Sequence, residues 1–126
     1  MKTIINTNNA PAPIGPYSQA VSAGNFLFVS GQIALNPATG QLVTDDIKTE
    51  TKQVMDNIKA ILVEAGIDFS NIVKTSIFLT DMQNFAQVNE VYGTYFKEAF
   101  PARETVQVAG LPKGVNVEIT ITAIKP

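Results

Sequence analysis

The stretch Val115-Asn116-Val117-Glu118-Ile119-Thr120-Ile121-Thr122-Ala123-Ile124 alternates strictly between apolar and polar residues. Successive side chains of a β-strand point to opposite faces. Val115, Val117, Ile119, Ile121 and Ala123 therefore share one face, and Asn116, Glu118, Thr120 and Thr122 share the other. The apolar face requires a covering layer. Two helical patterns upstream supply candidates for it, which points to a sheet with helices on one side.

Working outward, the first helical stripe is Ile47, Val54, Ile58, Ile61 and Leu62. Asp45-Asp46 place carboxylates at its start, and Gly66 is a natural stop. The second stripe is Phe85, Val88, Tyr92 and Phe96, with Asp81 as a cap and Phe100-Pro101 at its end. Strand signals fall at Tyr17–Ser22, Phe26–Ile33, Ile72–Leu79 and Thr105–Ala109, besides the final strand at Val115–Ile124. Lys2–Ile5 reads as a short edge strand. Ala23-Gly24-Asn25 is a hairpin signal, Asn36–Gly40 a turn, and Leu111-Pro112-Lys113-Gly114 a second β-turn. Asn6–Pro16 is a polar, Pro-rich loop. The order β-β-α-β-α-β-β predicts an α+β fold with an antiparallel or mixed sheet. Its second face would carry Phe26, Phe28 and Phe78 beside Ser30, Ser76 and Thr120. Bare aromatics on so large a face predict a homo-oligomer that covers it.

The chain has 126 residues, one domain's worth, and is 45% hydrophobic. It has no Cys, no His and no Trp. Thiol nucleophiles, thiolate or imidazole metal sites and Ser-His triads are therefore excluded. Acid–base chemistry is left to Asp, Glu, Lys and Tyr. No acidic cluster has metal-loop spacing, and no phosphate loop is present. Nine basic residues against eleven acidic ones give a net charge of −2, unlike the basic footprint of a nucleic-acid binder. No apolar run approaches membrane-spanning length. Met1 to Pro13 carry one Lys and no apolar block, so a cytoplasmic location is expected.

Eight of the nine basic residues are Lys; Arg103 is the only Arg. A guanidinium binds a carboxylate through two parallel bonds in a fixed plane, which an ammonium does not. Arg103 is thus either a solvated charge or an anion clamp. Glu118, mid-strand on the polar face, is either a surface or interface charge or a carboxylate that works on water. Tyr17 ends the Gly15-Pro16 turn, packed there or reaching over a pocket. Ser30-Gly31 interrupts an apolar strand, a mark of a bulge or of close backbone approach by a ligand. Without His no imidazole activates Ser30; a Lys partner stays open. Asn89 lies at the edge of the second helical stripe, as a solvated group or a pocket amide.

Several blocks together resemble the Rid family, the reactive intermediate deaminases also called YjgF-like, and most closely its RidA-type enamine/imine deaminases. They are Ala12-Pro13-Ile14-Gly15-Pro16-Tyr17-Ser18-Gln19, Ser30-Gly31-Gln32-Ile33, Asn57-Ile58-Lys59-Ala60, Phe85-Ala86-Gln87-Val88-Asn89, Pro101-Ala102-Arg103, Leu111-Pro112-Lys113-Gly114 and Val117-Glu118-Ile119. The resemblance covers nearly the whole chain, which is read as a single domain, residues 1–126. It implies a chorismate-mutase-like two-layer protomer and a homotrimer with sites in clefts between subunits. The implied reaction is hydrolysis of 2-imino acids to 2-oxo acids and ammonia without a cofactor or metal. Those imines form from enamines such as 2-aminoacrylate, which pyridoxal-phosphate dehydratases release. By the same resemblance, Arg103 would clamp the substrate carboxylate and Glu118 would position water. Tyr17, Ser30 and Asn89 would line the pocket, and backbone N–H groups near Gly31 and Thr105 would bind polar atoms.

Two positions depart from the family pattern. Relatives often carry Ser and Cys where this chain has Glu104 and Thr105. Glu104 spares the anion site if the strand has begun by then, because neighbours point oppositely. Two competing readings remain: a non-enzymatic module binding a small carboxylate such as a 2-oxo acid, and a ribonuclease or translation inhibitor, which the acidic balance and the missing His oppose.

Overall fold

The computed structural model describes residues 1–126. Six strands form one mixed sheet: β1 (Lys2–Ile5), β2 (Ala20–Ala23), β3 (Phe26–Gln32), β4 (Ile72–Leu79), β5 (Ala102–Gln107) and β6 (Val117–Ile124). The helices are α1 (Ile47–Glu64) and α2 (Phe85–Gly93). Strand order is β1-β2-β3-β6-β4-β5, so the last strand of the chain lies inside the sheet. Neighbours pair antiparallel except β4 with β5, which are parallel and joined through α2. This is the expected α+β layering, with Lys2–Ile5 at one edge.

The alternation of β6 decides the layers. Val117, Ile119, Ile121 and Ala123 are buried and join Leu27, Val29, Ile77 and Leu79 from neighbouring strands in one core. Val54, Met55, Ile58, Ile61 and Leu62 of α1 and Val88 and Tyr92 of α2 close that core. Helix α1 starts as read: the Asp46 carboxylate accepts the Thr49 N–H at 2.8 Å. It stops before Gly66, whose φ of +78° suits glycine.

Several boundaries differ from the sequence reading. Strand β2 begins at Ala20, not Tyr17, whose N–H turns back to the Gly15 carbonyl at 2.9 Å; the segment ahead of the strand is held by the Gln19 side-chain amide. It donates to the carbonyls of Thr7, Ala10 and Pro11 and accepts the Thr7 N–H. Helix α2 ends at Gly93, and Asp81 caps a short turn, Met82–Asn84, instead of α2 itself. Phe96 still packs on the core from the following loop. Strand β5 begins at Ala102, so Arg103 and Glu104 lie within it. Strand β6 begins at Val117, after Asn116 has turned its N–H toward Glu50 of α1.

The second face of the sheet is uncovered. Register aligns Phe28 with Thr122, Ser76 with Thr120, and Phe78 with both Glu118 and Val106. Phe26 and Phe28 stack at 5.9 Å and are nearly half exposed, with Ile4, Val106 and Ile124 also open. Glu104 lies on this face, bonded to Lys74 at 2.9 Å and to the Ser76 hydroxyl. Its neighbour Arg103 points to the helix side, so Glu104 leaves it alone.

Ile58 is fully buried at the centre of the α1 contact. Ile58→Ala should destabilise the fold by about 2–5 kcal/mol, read from a lower urea midpoint at unchanged slope.

Candidate active site

Arg103 stands on β5 opposite Thr75 of β4, which in turn pairs with Ile121 of β6. Thr75 and Ile121 are core residues, so Arg103 emerges on the helix side at the sheet edge. Its guanidinium carbon lies 5.1 Å from the Tyr92 ring centroid and 5.7 Å from that of Phe85. The Tyr92 hydroxyl is tied to Thr75 Oγ1 at 3.0 Å, which fixes the ring under the cation. Burial raises the Tyr92 phenol above its ordinary value, against the opposing pull of Thr75 and Arg103. The open pocket around this cation is lined by Asn89, Tyr92, Gly93, Phe100, Pro101 and Arg103.

The three ion pairs of the chain are Lys48–Glu90, Lys52–Asp56 and Lys74–Glu104; Arg103 takes part in none. A half-buried guanidinium on aromatic rings, with its donors free, is short of an anion. The planar fork fits a carboxylate.

Glu118 occupies the other face. It borders a second open pocket with Ile14, Tyr17, Ser30, Gly31 and Pro112. Burial raises its carboxyl above the ordinary value, and no cation lies in that pocket to offset it. Gly31 explains how the carboxylate fits. A Cβ there would stand 2.8 Å from Glu118 Cδ and 2.9 Å from Oε1. The sheet register between β3 and β6 shifts between Val29 and Gln32, the bulge expected of a glycine at such a place.

The remaining residues divide between these two clusters. Asn89 joins Arg103; Tyr17, Ser30 and Gly31 join Glu118. The Ser30 hydroxyl donates to the Ser18 carbonyl at 2.6 Å and fastens the Pro-rich loop. Tyr17 accepts the Ile14 N–H at 3.2 Å, inside its own turn. Thr105 borders neither pocket, and its buried hydroxyl has no hydrogen-bond partner. Arg103 and Glu118 thus lie on opposite faces of one sheet and do not meet within one chain. Sequence reading missed the clamping role of Gln19, and it assigned Tyr92 and Phe85 to the core alone. The loop contact has no local pattern, whereas two aromatics seven residues apart on a helix beside a lone Arg are a usable signal.

Residues 7–125 match the sequence pattern of the family described as Endoribonuclease L-PSP. The chain belongs to this family. It is 54% identical to a RutC family protein of Pyrococcus horikoshii, with 99% of each chain covered. It is 48% identical to the 2-iminobutanoate/2-iminopropanoate deaminase of Mus musculus, covering 99% of this chain and 93% of that one. A solved structure from Yersinia pestis, described as a protein of the conserved Rid family, shares 52% identity and superposes with a TM-score of 0.96. That alignment covers 98% of this chain and 99% of the other. The sheet with two helices is therefore the fold of the L-PSP, or Rid, family, as the motifs suggested.

The raised Glu118 carboxyl has a stability consequence. In the unfolded chain this group releases its proton near its ordinary value of 4.5, while the folded chain holds it to higher pH. The folded state then binds more protons, so its stability falls as pH rises from 4.5 through the folded value. Urea unfolding should show Glu118→Gln gaining on wild type between about pH 4 and about pH 8. A constant difference would contradict the burial cost.

Proposed function

We propose that this protein hydrolyses 2-imino acids to 2-oxo acids and ammonia. The observation that carries the reading is the unpaired Arg103 guanidinium held over Tyr92 and Phe85 beside Asn89. A planar cation without a counter-ion is suited to the carboxylate shared by 2-imino and 2-oxo acids. Such a bond contributes about 1.5–3 kcal/mol. The deaminase name of the mouse relative supports the same reaction.

In the chemistry, water attacks the imine carbon and a C–O bond forms. Glu118 takes the proton from that water. The proton passes to the imine nitrogen, giving a carbinolamine; the hydroxyl proton then also moves to nitrogen through Glu118, the C–N bond breaks, and ammonia leaves as the carbonyl forms. Atoms balance with one water consumed. An imine is already electrophilic, so positioning and one carboxylate suffice. A raised carboxyl pKa makes Glu118 a better base, and such a group contributes roughly 10²–10⁴ in rate.

The opposed faces of Arg103 and Glu118 bear on assembly. If one chain supplies the guanidinium and its neighbour the carboxylate, the contact joins two different patches. Such head-to-tail contacts close into rings. The resemblance to the Rid family implies a ring of three, and we propose that homotrimer, which would complete three sites and cover the open Phe26–Phe28 face. Enamines from pyridoxal-phosphate dehydratases would supply the substrate.

Coupled to a dehydratase that releases 2-aminoacrylate, the protein should speed ammonia release. Arg103→Ala and Glu118→Ala should each lose most of that acceleration. Gly31→Ala should fold normally yet lose roughly 10²-fold, since the new methyl displaces the Glu118 carboxylate. Wild-type rates in all three would overturn the mechanism. Saturable binding of pyruvate without hydrolysis would instead favour a carboxylate-binding module. The family description, Endoribonuclease L-PSP, favours a nuclease as the second reading. RNA cleavage by pure protein that stops in Glu118→Ala would establish it.

A further inference from the structure

Glu50 is fully buried in the first turn of α1. None of the three ion pairs includes it. A carboxylate taken out of water without a cation is costly, and an apolar residue would usually serve a core better. Its oxygens are instead given to one short segment. Oε2 accepts the Asn116 N–H at 2.7 Å and the Val117 N–H at 3.2 Å, and Oε1 accepts the Asn116 side-chain amide at 2.8 Å. From the other side, the Asn116 carbonyl accepts the Thr80 N–H at 3.2 Å. The peptide just ahead of β6 is thus gripped by α1 and anchored to the end of β4.

Glu118 is the residue immediately after that grip. Its carboxylate has no hydrogen-bond partner to orient it, and it fits into the gap at Gly31 with little room to spare. The loop before Asn116 passes through left-handed Lys113 and Gly114, at φ of 57° and 69°. Pro112 of the same loop borders the Glu118 pocket. Backbone placement at Asn116–Val117 therefore sets where the carboxylate enters the pocket. We infer that Glu50 is a positioning residue for Glu118, acting through the backbone N–H groups of Asn116 and Val117.

This inference rests on the imine-hydrolysis reading. Its test compares wild type, Glu50→Ala and Glu50→Gln, all shown to be folded by circular dichroism. Imine hydrolysis is measured, and the Glu118 carboxyl is followed by carbon-13 NMR through a pH titration. Glu50→Ala should lower kcat at least about tenfold, with KM moving less than about threefold because the carboxylate of the substrate is held by Arg103, which Glu50 does not touch. Its Glu118 carboxyl should titrate closer to the ordinary value, as water enters the loosened pocket. Glu50→Gln keeps an acceptor for the two backbone N–H groups and should restore both readings. A folded Glu50→Ala with wild-type kcat and wild-type titration overturns the inference. If alanine abolishes folding, Glu50→Leu takes its place. Loss of the folded state in both also overturns it, because Glu50 is then a fold anchor. If wild type hydrolyses no imine, the functional reading fails on its own. The titration then decides Glu50 alone: an unmoved Glu118 overturns the inference, and a moved one upholds it.

Discussion

Strand β6 lies between β3 and β4, and everything else is arranged around its alternation. Its odd residues, Val117 to Ala123, supply the centre of the core. Its even residues, Glu118 to Thr122, are thereby directed to the opposite face. A shift of one residue would bury Glu118 under the helices and expose Ile119. The same constraint fixes Arg103. It shares the helix face through Thr75 and Ile121, and so cannot reach Glu118 across the thickness of its own sheet.

The places where ordinary packing rules are broken coincide with the candidate chemistry. A guanidinium is left without a counter-ion above two aromatic rings. A carboxylate is half-buried with its proton affinity raised. A glycine interrupts β3 where any side chain would meet that carboxylate. Two phenylalanines stack in the open. Local departures of this kind are expected at functional sites, since a fold otherwise removes them. Glu50 belongs with them: a buried charge kept where a hydrocarbon would cost less, bonded to the segment that carries Glu118 into place.

Much of this fold was legible because its signals are local. The polar–apolar alternation of Val117–Ile124, the Asp46 cap and the Gly66 stop each depend on residues close in sequence. So does the two-residue loop at Gly24-Asn25, where β2 and β3 pair across Ala23 and Phe26. The misplaced boundaries depend on distant partners. The start of β2 follows a loop that the Gln19 side-chain amide holds through bonds reaching back eight to twelve residues. The start of β5 depends on parallel pairing with β4 across an intervening helix. For the candidate site, residue identities were readable from the motif blocks and the lone Arg. The division into an Arg103 half and a Glu118 half was not, because it follows from the sheet register. Family membership is shown by the match over residues 7–125, whereas the specific reaction remains our proposal.

Subunit complementation tests the central claim most directly. Arg103→Ala and Glu118→Ala protomers, each inactive alone, are dissociated together and reassembled. If each site draws its guanidinium and its carboxylate from different chains, the mixture should recover about a quarter of the wild-type imine hydrolysis. Mixed assemblies that form yet stay inactive would contradict it, because both groups would then have to come from one chain.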